Sequence, residues 1–178
     1  MYTAQLPGRG PFVIRYPRGK GGLTDWHAPM EAIEVGRGRQ LCDGNDVAVL
    51  SLGPIGNDVA AAIEELSKQE PSRSVAHYDM RFLKPLDEHI LEEVGSRFQH
   101  IVTVENGVKN GGLGSAVLEW MNDHGYHPQV TRLGLPDTEF VEHGKVCELQ
   151  HLVGIDADAI KAAILQHLSP NTYEAPIT

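Results

Sequence analysis

Apolar positions along the chain fall into short runs alternating with helical stripes. Val47–Leu52 is a nearly continuous apolar run of strand length, the pattern of a strand covered on both faces. After Gly53-Pro54-Ile55-Gly56, residues Asn57–Lys68 predict a helix with Val59, Ile63 and Leu66 on its buried face. Ser74–Met80 reads as the next strand. Asp87 then reads as the N-cap of a helix that carries Ile90, Leu91, Val94 and Phe98 inward. Ile101–Val104 opens a third unit: a β-branched run, a turn from Glu105 to Gly112, and a helical face of Leu113, Val117, Trp120, Met121 and His124. Val130–Leu133 predicts a further strand and Lys145–Val153 a short helix. Asp156–Leu168 closes the series, with Ile160, Ile164 and Leu168 on one stripe.

Strands alternating with helices predict an α/β fold, a mostly parallel sheet with helices on both faces and right-handed crossovers. The ends do not follow that pattern. Phe12-Val13-Ile14 reads as a strand without a helical partner, closed off by Tyr16-Pro17 and the glycines around Lys20. Residues 1–22 therefore read as the last strand of a preceding domain, and 23–40 as linker and lead-in, with Ile33–Cys42 alternating loosely like a lead-in strand. Residues 41–168 form the expected domain. Residues 169–178, with Pro170 and Pro176, are expected to be a poorly ordered tail.

Composition narrows the partners. A net charge of −9 opposes binding to nucleic acid or to an anionic membrane surface, both of which reward basic side chains. No apolar run approaches the roughly 20 residues that span a bilayer, and the N-terminus lacks the charged-then-apolar signature of a signal peptide. Cys42 and Cys147 stand far apart with no Cys-x-x-Cys pair, which suits a reducing cytoplasm.

Several stretches suggest chemistry. Gly107 and Gly112 have the spacing of a P-loop, but Leu113 stands where the phosphate-binding Lys belongs, and the dinucleotide Gly-x-Gly-x-x-Gly pattern is not met. A tight strand-to-helix turn explains these glycines better. In Arg15-Tyr16-Pro17-Arg18-Gly19 a proline stiffens the chain between two guanidinium groups, whose planar forks suit phosphate or carboxylate; solvated or surface-paired arginines are the alternative. Asp79, Arg81, Lys84 and Asp87 gather at the carboxyl end of a strand, as a site edge or as an ion-pair network with a helix cap. Glu105 also ends a strand, as a base or as an acceptor for the amides of its own turn. His143, Cys147 and His151 have i, i+4, i+8 spacing, yet Gly144 marks a helix start that takes His143 off their face, and no fourth metal ligand is evident. No Gly-x-Ser-x-Gly elbow, His-Glu-x-x-His helix or Gly-Asp-Gly diphosphate–metal motif is present, so no catalytic, cofactor-binding or metal-binding residue emerges.

Taken in order, Ile14-Arg15-Tyr16-Pro17-Arg18-Gly19, Asp79-Met80-Arg81-Phe82-Leu83-Lys84-Pro85-Leu86-Asp87, Val102-Thr103-Val104-Glu105, Gly111 to Val117 and Leu133-Gly134-Leu135-Pro136-Asp137 resemble the 1-deoxy-D-xylulose-5-phosphate synthase family. The likeness covers nearly the whole chain, but only the last part of such an enzyme: the final strand of a pyrimidine-binding domain, a linker and a transketolase-type C-terminal domain. It implies a three-layer α/β/α domain with a five-stranded mixed sheet and one antiparallel edge strand. It also implies a cytoplasmic, homodimeric parent transferase that uses thiamine diphosphate and magnesium. That parent joins pyruvate to D-glyceraldehyde 3-phosphate with loss of carbon dioxide, toward isoprenoids, thiamine and pyridoxal. The cofactor motifs and the activating Glu lie upstream of these motifs, so the chain alone is expected to bind no cofactor and to be inactive without the N-terminal and pyrimidine-binding domains. Arg15, and with it Arg18, matches residues expected to hold the acceptor's phosphate. One departure stands out: the family usually has a second Glu followed by Asn where Asn106 and Gly107 stand here. The competing readings are the equivalent domain of a transketolase or of a 2-oxo acid dehydrogenase β subunit, and a free-standing small-ligand or interaction module.

Overall fold

The computed structural model describes residues 1–17 and 29–168; Arg18, the first part of the expected linker and the expected tail lie outside the described residues. Five strands, β1 Arg39–Cys42, β2 Val47–Leu52, β3 Val75–Asp79, β4 His100–Val108 and β5 Gln129–Leu135, form one sheet in the order β1-β3-β2-β4-β5. β1 runs antiparallel to β3, and the other pairs are parallel. The helices are α1 Gly56–Gln69, α2 Glu88–Arg97, α3 Leu113–Asp123, α4 Val146–Leu152 and α5 Ala157–Leu168.

Side-chain alternation along β2 sets the layers. Val47 and Val49 pack toward α1 and α5 with Val59, Leu66, Ile160 and Ile164. Ala48 and Leu50 pack toward α2 and α3 with Leu91, Val94, Leu113 and Val117. Because both faces are covered, the strand has to be apolar at successive positions rather than alternating. The result is the three-layer arrangement, with a mixed five-stranded sheet and an antiparallel edge, that the resemblance implied. Asp87 caps α2 as expected: its Oδ1 accepts from the amides of His89 (3.0 Å) and Ile90 (3.3 Å), worth about 1 kcal/mol. Its Oδ2 accepts from Gly38 N at 2.8 Å, fastening the segment that enters β1.

Four expectations are corrected. Phe12–Ile14 forms no strand: no strand among the described residues lies beside it to complete a ladder, and Val13 is 98% exposed. The segment is preceded instead by a 3₁₀ turn at Tyr2–Gln5, and Thr3 Oγ1 accepts from Ile33 N at 2.8 Å. The lead-in strand is only Arg39–Cys42, since Arg37 N bonds Glu34 O in a tight turn at Gly36. β4 continues past Val104 to Val108, because β5 offers it a partner there: Val108 pairs with Leu135 after a register shift, and Lys109 N donates to Leu135 O at 2.9 Å. His124 is exposed at the end of α3, stacked on Trp120 with ring centroids 3.9 Å apart, rather than buried with Leu113, Val117 and Met121.

Candidate functional site

From β2 the chain crosses through α1 to β3 on one side; from β4 it crosses through α3 to β5 on the other. The carboxyl ends of β2 and β4 lie side by side, Leu52 opposite Glu105. A divergence of this kind opens the crevice where open α/β sheets take ligands.

Glu105 occupies that position and is 3% exposed. Its Oε1 accepts from Gly114 N at 3.0 Å, in the first turn of α3, where the helix dipole favours negative charge. This is the second of the two roles the sequence allowed it, acceptor for the amides after its own strand. The space for the carboxylate is made by absent side chains. A Cβ at Gly112 would lie 2.2 Å from Oε2 and 2.5 Å from Oε1, and one at Gly107 would lie 2.6 Å from Oε2. The glycines here thus make room for a carboxylate, not for a nucleotide.

Arg15 is exposed and overhangs this point: the same Gly107 Cβ position is 3.7 Å from its Nη1. The fold therefore brings Arg15 to the carboxyl-end crevice, ninety positions from Glu105 in sequence. Its companion Arg18 lies outside the described residues.

The Asp79–Asp87 cluster resolves as ion pairs and a cap. Arg39 Nε meets Asp79 Oδ2 at 3.1 Å, Arg81 Nε meets the same oxygen at 3.9 Å, and Arg37 Nη1 meets Asp87 Oδ1 at 3.2 Å. Arg81 sits at φ 56°, a left-handed conformation uncommon outside glycine. A shallow cavity of about 290 Å³ beside β1 is lined by Arg37, Arg39, Tyr78, Asp87, His89 and Glu93, away from Glu105. Of the residues with metal-like spacing, His143 falls before α4, Cys147 is exposed on it, and His151 Nδ1 pairs with Asp156 at 2.6 Å; the fold does not assemble them.

Two polar pairs escaped the sequence reading. Ser51 Oγ lies 2.8 Å from His77 Nε2 beneath the start of α1, both side chains buried. Burial pushes His77 down to about 4, with Asp79 opposing and Arg39 adding to the shift. A buried, neutral Ser–His pair of this kind braces β2 against β3 and offers no nucleophile to a substrate. On the opposite edge, His167 Nε2 lies 2.8 Å from Thr131 Oγ1, and its ring centroid is 4.8 Å from that of His100. Burial and the nearby His100 lower the pKa of His167. The available signal was one polar residue interrupting an otherwise apolar strand, as Ser51 does in β2 and His77 in β3.

Comparison with known proteins adds an independent line. A family model for the transketolase C-terminal domain matches residues 36–160. A 1-deoxy-D-xylulose-5-phosphate synthase from Bacteroides thetaiotaomicron is 58% identical over 93% of this chain, and one from Bacteroides fragilis is 56% identical over 94%. The chain spans about a quarter of the length of these relatives, 25% and 26%. Among solved structures, one described as "Split gene transketolase, inactive beta4 tetramer" is 31% identical with a TM-score of 0.68, covering 79% of this chain and 44% of that one.

Proposed function

The chain belongs to the family of transketolase C-terminal domains, and from that premise we propose that it is the C-terminal part of a 1-deoxy-D-xylulose-5-phosphate synthase. That enzyme joins pyruvate to D-glyceraldehyde 3-phosphate with release of carbon dioxide. The observation that carries the reading is identity of 56–58% to synthases of that name along more than nine-tenths of the chain. On this reading residues 1–22 complete a pyrimidine-binding domain that precedes the domain at 41–168. On this reading the parent enzyme is a cytoplasmic homodimer, and the two unpaired cysteines suit a reducing compartment.

Thiamine diphosphate and magnesium do not fit the residues here. Among the described residues no group of three or more His, Cys, Asp or Glu could hold a metal ion, and the sequence has no Gly-Asp-Gly diphosphate–metal motif. On this reading the cofactor's site belongs to the rest of the parent enzyme, and this chain contributes to binding the acceptor. Arg15, exposed at the carboxyl-end crevice, supplies a planar fork of donors to the acceptor's phosphate, and Arg18 a second.

The test is steady-state kinetics on the full-length enzyme. Losing a charged hydrogen-bond partner costs about 1.5–3 kcal/mol, so Arg15→Ala should raise the KM for glyceraldehyde 3-phosphate roughly ten- to a hundredfold. The KM for pyruvate should stay near that of the wild type, and unphosphorylated glyceraldehyde should not distinguish the two enzymes. A wild type that makes no product from the two substrates overturns the assignment. An equal loss on both acceptors would give Arg15 a purely structural role.

A further inference from the structure

We infer that Glu105 is a positioning residue for Arg15: the buried carboxylate holds the guanidinium over the crevice between β2 and β4. The inference rests on the reading of Arg15 as a phosphate ligand and adds what fixes that arginine in place.

Three observations carry it. Glu105 is almost fully buried, yet among the described residues it accepts a single hydrogen bond, from Gly114 N to Oε1. Its other oxygen, Oε2, faces the hollow left by Gly107 and Gly112. Arg15 Nη1 borders that same hollow, 3.7 Å from the point a Gly107 side chain would occupy. A carboxylate taken out of water is expensive unless opposite charge lies near. An exposed arginine, for its part, loses considerable rotamer freedom when fixed on a ligand. One arrangement answers both needs: the carboxylate gains a cation, and the guanidinium is partly ordered before the ligand arrives, which is the way preorganisation improves binding. Arg15 and Glu105 border one hollow without a direct ion pair or hydrogen bond between them, so the carboxylate acts on the guanidinium as a neighbouring charge and leaves the donors of the fork free for an anion. Two other polar side chains of the turn are engaged elsewhere, Asn110 with Asp137 Oδ2 at 2.7 Å and Ser115 Oγ with Gly111 N and Arg132 Nη1. Neither competes with Glu105 for the guanidinium.

The experiment is a double-mutant cycle in the full-length enzyme with Arg15→Ala, Glu105→Gln and both together. Glutamine keeps the shape and the acceptor for Gly114 N while removing the charge. Glu105→Gln should raise the KM for glyceraldehyde 3-phosphate about threefold to tenfold, the factor that ordering one rotamer-rich side chain is worth. It should leave kcat, the KM for pyruvate and the melting temperature close to wild type, and should add nothing in the Arg15→Ala background. A lower or unchanged acceptor KM in Glu105→Gln overturns the inference, as does the same rise with and without Arg15. A parallel loss on both substrates with a lowered melting temperature also overturns it, since that is the signature of a structural role. If Arg15→Ala alone leaves the acceptor KM unchanged, the phosphate reading itself has failed; if Arg15→Ala acts and Glu105→Gln does not, only the positioning role has.

Discussion

Gly112→Ala tests whether the glycine-rich turn exists to house a carboxylate. Gly112 is the N-cap of α3 at φ −89°, a backbone angle open to any L residue, so the substitution meets no conformational penalty of its own. Its obstacle is occupied space. The new methyl would lie 2.2 Å and 2.5 Å from the Glu105 carboxylate oxygens and 2.3 Å from the Val108 carbonyl oxygen. The side chain of Glu105 can swing, but then it gives up Gly114 N. The carbonyl belongs to the end of β4 and cannot move without disturbing the pairing with β5. Forcing such a shift in a packed site costs about 1–3 kcal/mol, and losing a charged hydrogen bond about 1.5–3 kcal/mol more. A total of about 2.5–6 kcal/mol, in a domain where each kcal/mol moves the midpoint by about 2–4 °C, lowers the melting temperature by about 5–24 °C. The control is Gly111→Ala, at φ 77° with nothing within 4 Å of the added methyl, where left-handed strain alone costs about 1–2 kcal/mol. Thermal melts of the 178-residue chain followed by circular dichroism decide the matter. If Gly112→Ala melts with the wild type, or if Gly111→Ala is the more damaging of the two, the carboxylate does not occupy the turn as described.

Two further outcomes follow from buried and exposed side chains. Because His77 titrates at about 4 in the fold and near 6.5 when unfolded, the unfolded chain takes up the proton first as pH falls; its contribution, about 3 kcal/mol at most, is full above about 6.5 and is lost as pH falls toward 4. His167 is lowered in the same direction, so urea midpoints should fall between pH 7 and pH 4.5, and less steeply in His77→Gln; equal slopes in the two proteins would contradict the assignment. Cys42 on β1 and Cys147 on α4 are exposed and free, so thiol titration in denaturant without reductant should count two thiols, and a count of zero would show that they pair.

What the sequence disclosed divides along the range of the forces involved. The helix stripes at Val59–Leu66 and Ile160–Leu168, the apolar run of β2 and the Asp87 cap are local patterns, and they stand where periodicity and capping chemistry placed them. The last third of β4 was illegible because Glu105-Asn106-Gly107 reads as a turn until β5 supplies a partner for Val108. Phe12–Ile14 failed for the opposite reason: its residues favour a strand, but no neighbour among the described residues completes the ladder. At the site, paired guanidinium groups around a proline made Arg15 visible. Its place beside the Glu105 hollow was not, since proximity across ninety positions has no periodicity to betray it.

The antiparallel edge strand β1 bears on how the protein behaves in concentrated solution. A parallel sheet exposed at its margin is a template on which other copies can add strands and grow into aggregates. Here that margin is only Arg39–Cys42, its register breaks between Gln40 and Cys42, and Arg39 is tied to Asp79. A short, bulged and charged edge gives an incoming strand few consecutive backbone groups to bond. Reversing the last strand on this side thus does more than complete the sheet. It closes one of the two margins to growth, leaving the seven-residue β5 as the longer template for any other chain.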